Sequence, residues 1–203
     1  MNLVALIKPN KKFYIELKKT KMEVFKKYGN QKYVNHLPHL TIFDLKINKR
    51  LINKNHKKNL AIRNLNKNHL RLILKKRFYF ANDPITKKNT YVIFVKKNNL
   101  LKKIQKKLLK RFKKIILKKN KKFNNINLKK NYKNYGYPFV NSDWKPHLTI
   151  VSIKKNYTSD IIFKNFIKKK NIIKENFKFI YFYKYFNGKH IFLWKSKIVN
   201  EKK

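Results

Sequence analysis

Four side chains combine proton transfer with hydroxyl donation at a repeated spacing: His39 with Thr41, and His147 with Thr149. Each pair lies in the same pentapeptide, Pro-His-Leu-Thr-Ile, at 38–42 and again at 146–150. An extended chain sends alternate side chains to opposite faces. His39 and Thr41 then share one face, with Leu40 and Ile42 on the other. His147 and Thr149 repeat this against Leu148 and Ile150. Imidazole titrates near neutrality and can give or take a proton, while a hydroxyl can donate a hydrogen bond to developing negative charge. Two such strands face to face would set two imidazoles and two hydroxyls around one anionic group. A single His-x-Thr on a strand is most often a satisfied polar pair at a sheet edge. The matched second copy is what argues for chemistry.

The elements that must carry these motifs can be read from periodicity and turn signals. Residues 2–8 read as a strand. A helix is expected over 10–28, with Asn10 as its cap, Gly29 as its stop, and Phe13, Leu17, Val24 and Phe25 on its apolar side. The first motif strand follows at 38–45, then a helix over 50–66 and a long strand over 69–80. Asn82-Asp83-Pro84 marks a turn. A strand is expected at 90–96 and a helix at 100–117, striped by Leu101, Ile104, Leu108, Phe112 and Ile115. The Asn- and Lys-rich stretch 118–143 reads as a loop. The second motif strand spans 146–153 and a helix 159–169. Strands at 177–186 and 190–199 form a hairpin across Asn187-Gly188, a favoured two-residue turn. The order strand, helix, motif strand, helix, strand occurs twice, over 2–80 and over 90–186. No sequence identity outside the motif accompanies it.

Paired His-x-Thr strands 108 residues apart, in a chain of 203 residues, resemble the 2H phosphoesterase superfamily. That superfamily includes the bacterial 2′-5′ RNA ligase-like proteins and 2′,3′-cyclic nucleotide phosphodiesterases. Its pattern is His, an apolar residue, Thr or Ser, and an apolar residue, given twice, and both copies here satisfy it. The resemblance implies an α+β fold: two βαβ-type lobes related by a pseudo-twofold axis, with antiparallel sheets meeting at a central cleft. It implies one domain over 1–203, with 118–143 as a loop insertion.

The resemblance also implies a reaction. Opening a 2′,3′-cyclic phosphate needs a base to take a proton from water and an acid to protonate the leaving ribose oxygen. His39 and His147 can divide that work, in an order the sequence leaves open. Thr41 and Thr149 can bind the non-bridging phosphate oxygens. The expected function is a metal-independent phosphodiesterase acting on 2′,3′-cyclic phosphates or 2′-5′ linked RNA or nucleotides. The alternatives are a 2′-5′ RNA ligase, running the same reaction backward, and a non-catalytic basic RNA-binding protein on the same fold. No cofactor is expected. A two-metal phosphatase needs clustered carboxylates, and the eight here are scattered along the chain.

Composition narrows the setting. Apolar residues make up 42%, enough for a core, and there is no cysteine to form disulfides or ligate zinc. A cytoplasmic, monomeric protein is the expectation. No apolar run is long enough to span a membrane, and Leu3–Ile7 is too short for a signal-peptide core. The net charge is +47, with only 5 arginines among 55 basic residues. One reading is selection for a polyanion partner, with RNA ends or small cyclic nucleotides as substrates. The other is genomic drift towards AT-rich codons, which raises Lys, Asn, Ile, Phe and Tyr together. Non-specific attraction to nucleic acid follows from either.

Other residues have plainer readings beside functional ones. His36 could orient a phosphate or be a loop histidine. His56, His69 and His190 read as surface or strand-end residues. Asp44 and Asp143 flank the motifs and could hold an imidazole or serve turns. The stretch 135–139 could stack a base or pack on the body. Lys8 and Lys145 adjoin the first strand and the second motif, but with so many lysines their position carries little weight.

Overall fold

The opening strand β1 (Asn2–Ile7) buries five successive residues, Leu3 to Ile7. A strand apolar on both faces must be covered on both and flanked on both edges. In a computed structural model, β1 lies between β2 (Leu40–Lys46) and β8 (Phe179–Phe186), antiparallel to each. The structure describes residues 1–63, 71–83, 86–117, 123–157, 160–169 and 173–201. His69, Pro84, residues 64–66 of the helix expected at 50–66, residues 118–122 of the expected loop and residue 159 of the helix expected at 159–169 lie outside the described residues.

Helix α1 (Lys11–Tyr28) begins where the Asn10 side chain accepts from the Phe13 amide at 2.9 Å and ends at Gly29, whose φ is 68°. That left-handed conformation costs glycine little. Its buried stripe is Phe13, Leu17, Lys21 and Val24. Lys21 thus occupies a core position, while Phe25, expected in the stripe, is 37% exposed.

The helix expected over 50–66 is replaced by shorter pieces. A 3-10 turn (Lys49–Leu51) is followed by α2 (Lys54–Lys57) and β3 (Leu60–Ile62). Asn48 and Asn53 each cap a fresh start, so neither run is extended. Leu60 and Ile62 are buried where β3 joins the sheet edge in parallel with β9 (Lys189–Asn200).

Strands β4 (Arg71–Phe80) and β5 (Asn89–Val95) pair antiparallel. Helix α3 (Asn99–Phe112) is capped by Asn98 and stops short of 117, giving way to a 3-10 turn over Lys113–Ile115. The expected loop 118–143 contains a helix, α4 (Ile126–Tyr135), capped by Asn125 and ended by Gly136 in the left-handed region. None of its residues is buried, so it lacks the apolar stripe from which helices are read. A Cβ at Gly136 would lie 2.4 Å from Ile116 Cγ2, so this turn needs glycine for space as well as for φ. The chain continues through β6 (His147–Ile153), α5 (Ile161–Lys168) and β7 (Ile173–Asn176). Asn187 (φ 46°) and Gly188 (φ 76°) then turn β8 into β9, as their sequence implies.

Among the described residues the strands form one nine-stranded sheet in the order β3-β9-β8-β1-β2-β6-β5-β4-β7, antiparallel except at β3–β9. The mixed α and β, mainly antiparallel class expected from the sequence is the class observed. The grouping into 2–80 and 90–186 is not. β4, from the first half of the chain, pairs with β5 and β7, while β8, from the second half, pairs with β1 and β9. The short connection between β4 and β5 makes their pairing local, with little chain entropy lost on closure.

At the centre, β2 and β6 share a single registered pair, Leu40 with Leu148. The two halves of the sheet therefore meet at one point of the ladder. Each motif strand also carries an irregularity against its outer neighbour. Ala5 and Leu6 face Phe43 and Thr41, skipping Ile42. Tyr91 and Val92 face Val151 and Thr149, skipping Ile150. The skipped residue is the isoleucine closing each motif. Such bulges bend a strand locally and redirect the side chains beside them.

Candidate active site

The Leu40–Leu148 pair sets the geometry of the motifs. Both leucines are buried, with at most 1% of their surface exposed. In an antiparallel pair the next residues outward face each other across the strands. His39 and Thr41 flank Leu40 in sequence, and His147 and Thr149 flank Leu148, so this one bridge brings the two motifs side by side. All four sit on the face opposite the leucines, and all four are half-buried. Residues far apart in sequence are thus gathered around one point.

The two imidazoles are held alike. His39 Nδ1 lies 2.6 Å from the Leu37 carbonyl oxygen, and His147 Nδ1 lies 2.6 Å from that of Lys145. A carbonyl only accepts, so Nδ1 carries the hydrogen and donates it. The neutral ring then keeps its lone pair on Nε2. Both carbonyls precede a proline, Pro38 or Pro146, and a residue before proline is biased to extended backbone. The proline in each motif thereby helps present the carbonyl that fixes the tautomer. From the sequence, Asp44 and Asp143 are the carboxylates placed to hold an imidazole. Carbonyls hold Nδ1 instead, and Asp143 Oδ2 accepts from Asn131 at 2.8 Å.

Electrostatics separate the two rings. Burial pushes His39 down to about 3, and the positive charge of His190, Lys21 and His36 acts in the same direction, against the raising effect of the Leu37 carbonyl. Burial also lowers His147, but there the Lys145 carbonyl and the negative charge of Asp83 act to raise it. Basic side chains bear on His39, and a carboxylate bears on His147.

The flanks differ as well. Beside His39 stand His190, at 5.1 Å between ring centroids, and His36 and Tyr185, each packed on His190. Ile7 pairs with Leu40, and Lys8 and His39 each adjoin that pair in sequence. Lys8 Nζ lies over Tyr181 and Tyr183, at 4.8 and 5.3 Å from the ring centroids. Beside His147 stands Phe80 at 5.3 Å, and Phe80 packs on Phe94 at 5.5 Å. One flank is polar and basic, the other aromatic and apolar.

Several minor candidates resolve differently from their sequence reading. His190, read as a strand-end residue, packs against His39 because β9 folds back on β8; only the pairing of those strands brings it there. His56 is buried rather than on the surface, and its Nδ1 reaches back to the Asn53 amide in a capping box. Tyr137 is buried and Phe139 packs against the core, so the 135–139 stretch takes its packing role. Lys145 contributes its carbonyl to His147. Lys21, not singled out in the sequence, is 3% exposed and donates to the carbonyls of Tyr33 and Ile150, each at 2.7 Å. A lysine at a core position of a helical stripe was the available signal. Two grooves beside α1, of about 260 and 380 Å³, are not lined by His39 or His147. No described helix is long and apolar enough to cross a membrane.

The fold matches known structures over essentially its whole length. A Thermus thermophilus protein, TT0787, aligns over 100% of both chains with a TM-score of 0.57 and 14% identity. E. coli LigT, solved with 3′-AMP, aligns over 97% of both chains with a TM-score of 0.52 and 10% identity. LigT solved with NADP+ aligns over the same share, with a TM-score of 0.50 and 10% identity. No family model and no curated protein matches the sequence. The resemblance read from the paired motifs thus holds at the level of the fold, which this chain shares with LigT.

Proposed function

We propose that this chain, as one catalytic unit spanning its length, is a 2H-type phosphoesterase that opens 2′,3′-cyclic phosphates at the paired motifs. The observation carrying this is the matched tether. Two imidazoles flank one bridging pair, each with Nδ1 bonded to the carbonyl two residues earlier, and a threonine lies on the same face beside each. Shared fold with LigT, whose solved complexes hold 3′-AMP and NADP+, supports a nucleotide as ligand.

In the hydrolytic direction His39 acts as the base. Burial, with a smaller contribution from nearby basic groups, keeps it neutral, so its Nε2 lone pair can accept a proton from the attacking water. His147, nearer to Asp83, acts as the acid. As imidazolium it donates one N–H to the Lys145 carbonyl and the other to the leaving ribose oxygen. The P–O bond to that oxygen breaks as the bond to water oxygen forms, and the product is a phosphomonoester. Thr41 and Thr149 donate to non-bridging oxygens, where charge develops. None of the hydrogen bonds among described residues uses either hydroxyl. With a 5′ ribose hydroxyl in place of water the same groups join RNA ends: His39 takes that hydroxyl's proton as its oxygen bonds to phosphorus, the P–O3′ bond breaks, and His147 protonates the leaving 3′ oxygen to leave a 2′-5′ linkage.

The test is turnover of a 2′,3′-cyclic mononucleotide by the purified protein, with phosphomonoester product followed chromatographically. Turnover that is lost in both His39→Ala and His147→Ala supports the reading. No turnover of mono-, di- or oligonucleotide cyclic phosphates, with retained binding of RNA, would replace it with the non-catalytic RNA-binding alternative.

A further inference from the structure

The reaction accounts for His39 and His147 but leaves two half-buried histidines beside them without a part. His36 lies 5.2 Å from His190 and 5.5 Å from Tyr185 between ring centroids, and its Nε2 is 3.4 Å from the Tyr185 hydroxyl. His190 is 5.1 Å from both Tyr185 and His39. Lys8 stands on the neighbouring tyrosines of the same face. Beyond burial, Lys21 acts on both His36 and His190, and Lys32 acts on His36, so lysine charge faces the pair. A cluster of donors in a positive field, open to solvent and adjoining the reacting centre, is complementary to an anion. A metal is a poorer fit, since no three His, Cys, Asp or Glu side chains among the described residues are grouped as metal ligands.

The chemistry of the proposed substrate identifies that anion. At an RNA end closed as a cyclic phosphate, the 2′ and 3′ oxygens are both taken. The next phosphate along the chain is then the one on the 5′ oxygen of the same nucleotide. We infer that His36, His190 and Tyr185 form a subsite for this 5′ phosphoryl group, making oligonucleotide ends and 5′-phosphorylated cyclic nucleotides the preferred substrates. The inference rests on the proposed function, and on the asymmetry of the flanks. The flank beside His147 offers Phe80 and Phe94, which suit a base or ribose but not a second phosphate.

The experiment compares adenosine 2′,3′-cyclic phosphate with its 5′-phosphorylated form in the wild type and in His36→Gln, His190→Gln and Tyr185→Phe. The 5′-phosphate should lower KM about tenfold or more in the wild type, the effect of one or two charge-assisted hydrogen bonds, with kcat little changed. The ratio of kcat/KM for the two substrates should fall towards one in His36→Gln and His190→Gln. A wild-type ratio near one, or an unchanged ratio in these variants, overturns the subsite while leaving the phosphoesterase reading intact. Should neither substrate turn over, that reading fails instead, and binding decides the subsite. 5′-AMP, but not adenosine, should shift the imidazole NMR resonances of His36 and His190. Equal responses to the two, or none, overturn it.

Discussion

Lys21 and Gln105 make the same contact in the two halves of the sheet. Lys21 of α1 donates to the carbonyl of Ile150, the skipped residue of the second motif strand, at 2.7 Å. Gln105 of α3 donates to the carbonyl of Ile42, the skipped residue of the first, at 2.9 Å. Each has a second acceptor in the loop leading to the other motif: Tyr33 for Lys21 and Phe139 for Gln105. Both side chains are buried, at 3% and 1% exposure. The bulges that redirect the motif strands leave carbonyls out of the ladder, and buried donors on the helices satisfy them. Each helix thereby braces one motif strand to the approach of the other.

That bracing predicts a stability cost with a catalytic consequence. Gln105→Leu removes the donor shared by Ile42 and Phe139. Buried carbonyls losing their partner cost ~1–3 kcal/mol each, so a loss of roughly 2–6 kcal/mol is expected in urea unfolding. Because Ile42 follows Thr41 directly, kcat should fall as well. A change below ~0.5 kcal/mol would mean that these carbonyls find other donors.

Removing either imidazole should stop the reaction without unfolding the protein. His39→Ala and His147→Ala are each expected to lower kcat on the order of a hundredfold or more, the scale of general acid–base catalysis. Circular dichroism should remain that of the wild type. Thr41→Val and Thr149→Val should cost less, since each removes one hydrogen bond to the phosphate. Near-wild-type turnover in either alanine variant would exclude the paired mechanism.

Stability should depend on pH in two windows. His39 and His36 are lowered by burial to about 3 and about 4 in the folded chain, against about 6.5 unfolded. Between these values the unfolded chain binds more protons, so stability falls as pH drops below about 6.5. Lys21 is lowered by burial to about 7, so above that pH the folded chain has released a proton that the unfolded chain keeps. Stability should therefore rise with pH from about 7 towards 10. The neutral amine still has hydrogens for both carbonyls. Denaturant midpoints across pH measure both slopes, and Lys21→Met should reduce the upper one. A wild-type profile flat above neutrality would contradict the environment described for Lys21.

Cyclic phosphate hydrolysis should persist in excess EDTA. The proton transfers are assigned to imidazoles and the charge stabilisation to hydroxyls, so chelation removes nothing the mechanism uses. Activity lost in EDTA and recovered with a divalent cation would require a different mechanism.

Salt should separate the polymer from the small ligand. A chain of net charge +47 should bind single-stranded RNA with counterion release, with an affinity that falls steeply as salt rises. Turnover of a cyclic mononucleotide touches few phosphates and should respond far less. The comparison is kcat/KM for an RNA end and for a cyclic mononucleotide over about a tenfold range of ionic strength. Parallel curves would assign the excess lysine to genome composition alone.

Much of this was legible along the chain. His39, Thr41, His147 and Thr149 were found from spacing because an extended chain alternates its faces whatever surrounds it. The caps at Asn10, Gly29 and Asn187-Gly188 were equally local, since each depends on the backbone within a few residues. What the sequence could not decide depends on pairing between distant segments. The exchange of β4 and β8 between the halves, the single Leu40–Leu148 junction and the approach of His190 to His39 all follow from which strand lies beside which. Local propensity is silent on that choice. The helix α4 escaped notice because a helix that buries nothing has no apolar period to read. Lys21 escaped because a lysine in a helical stripe reads as surface until a second strand supplies the carbonyl that holds it. The residue types came from the sequence, but their surroundings, which set their protonation and their partners, exist only once the sheet has closed around them.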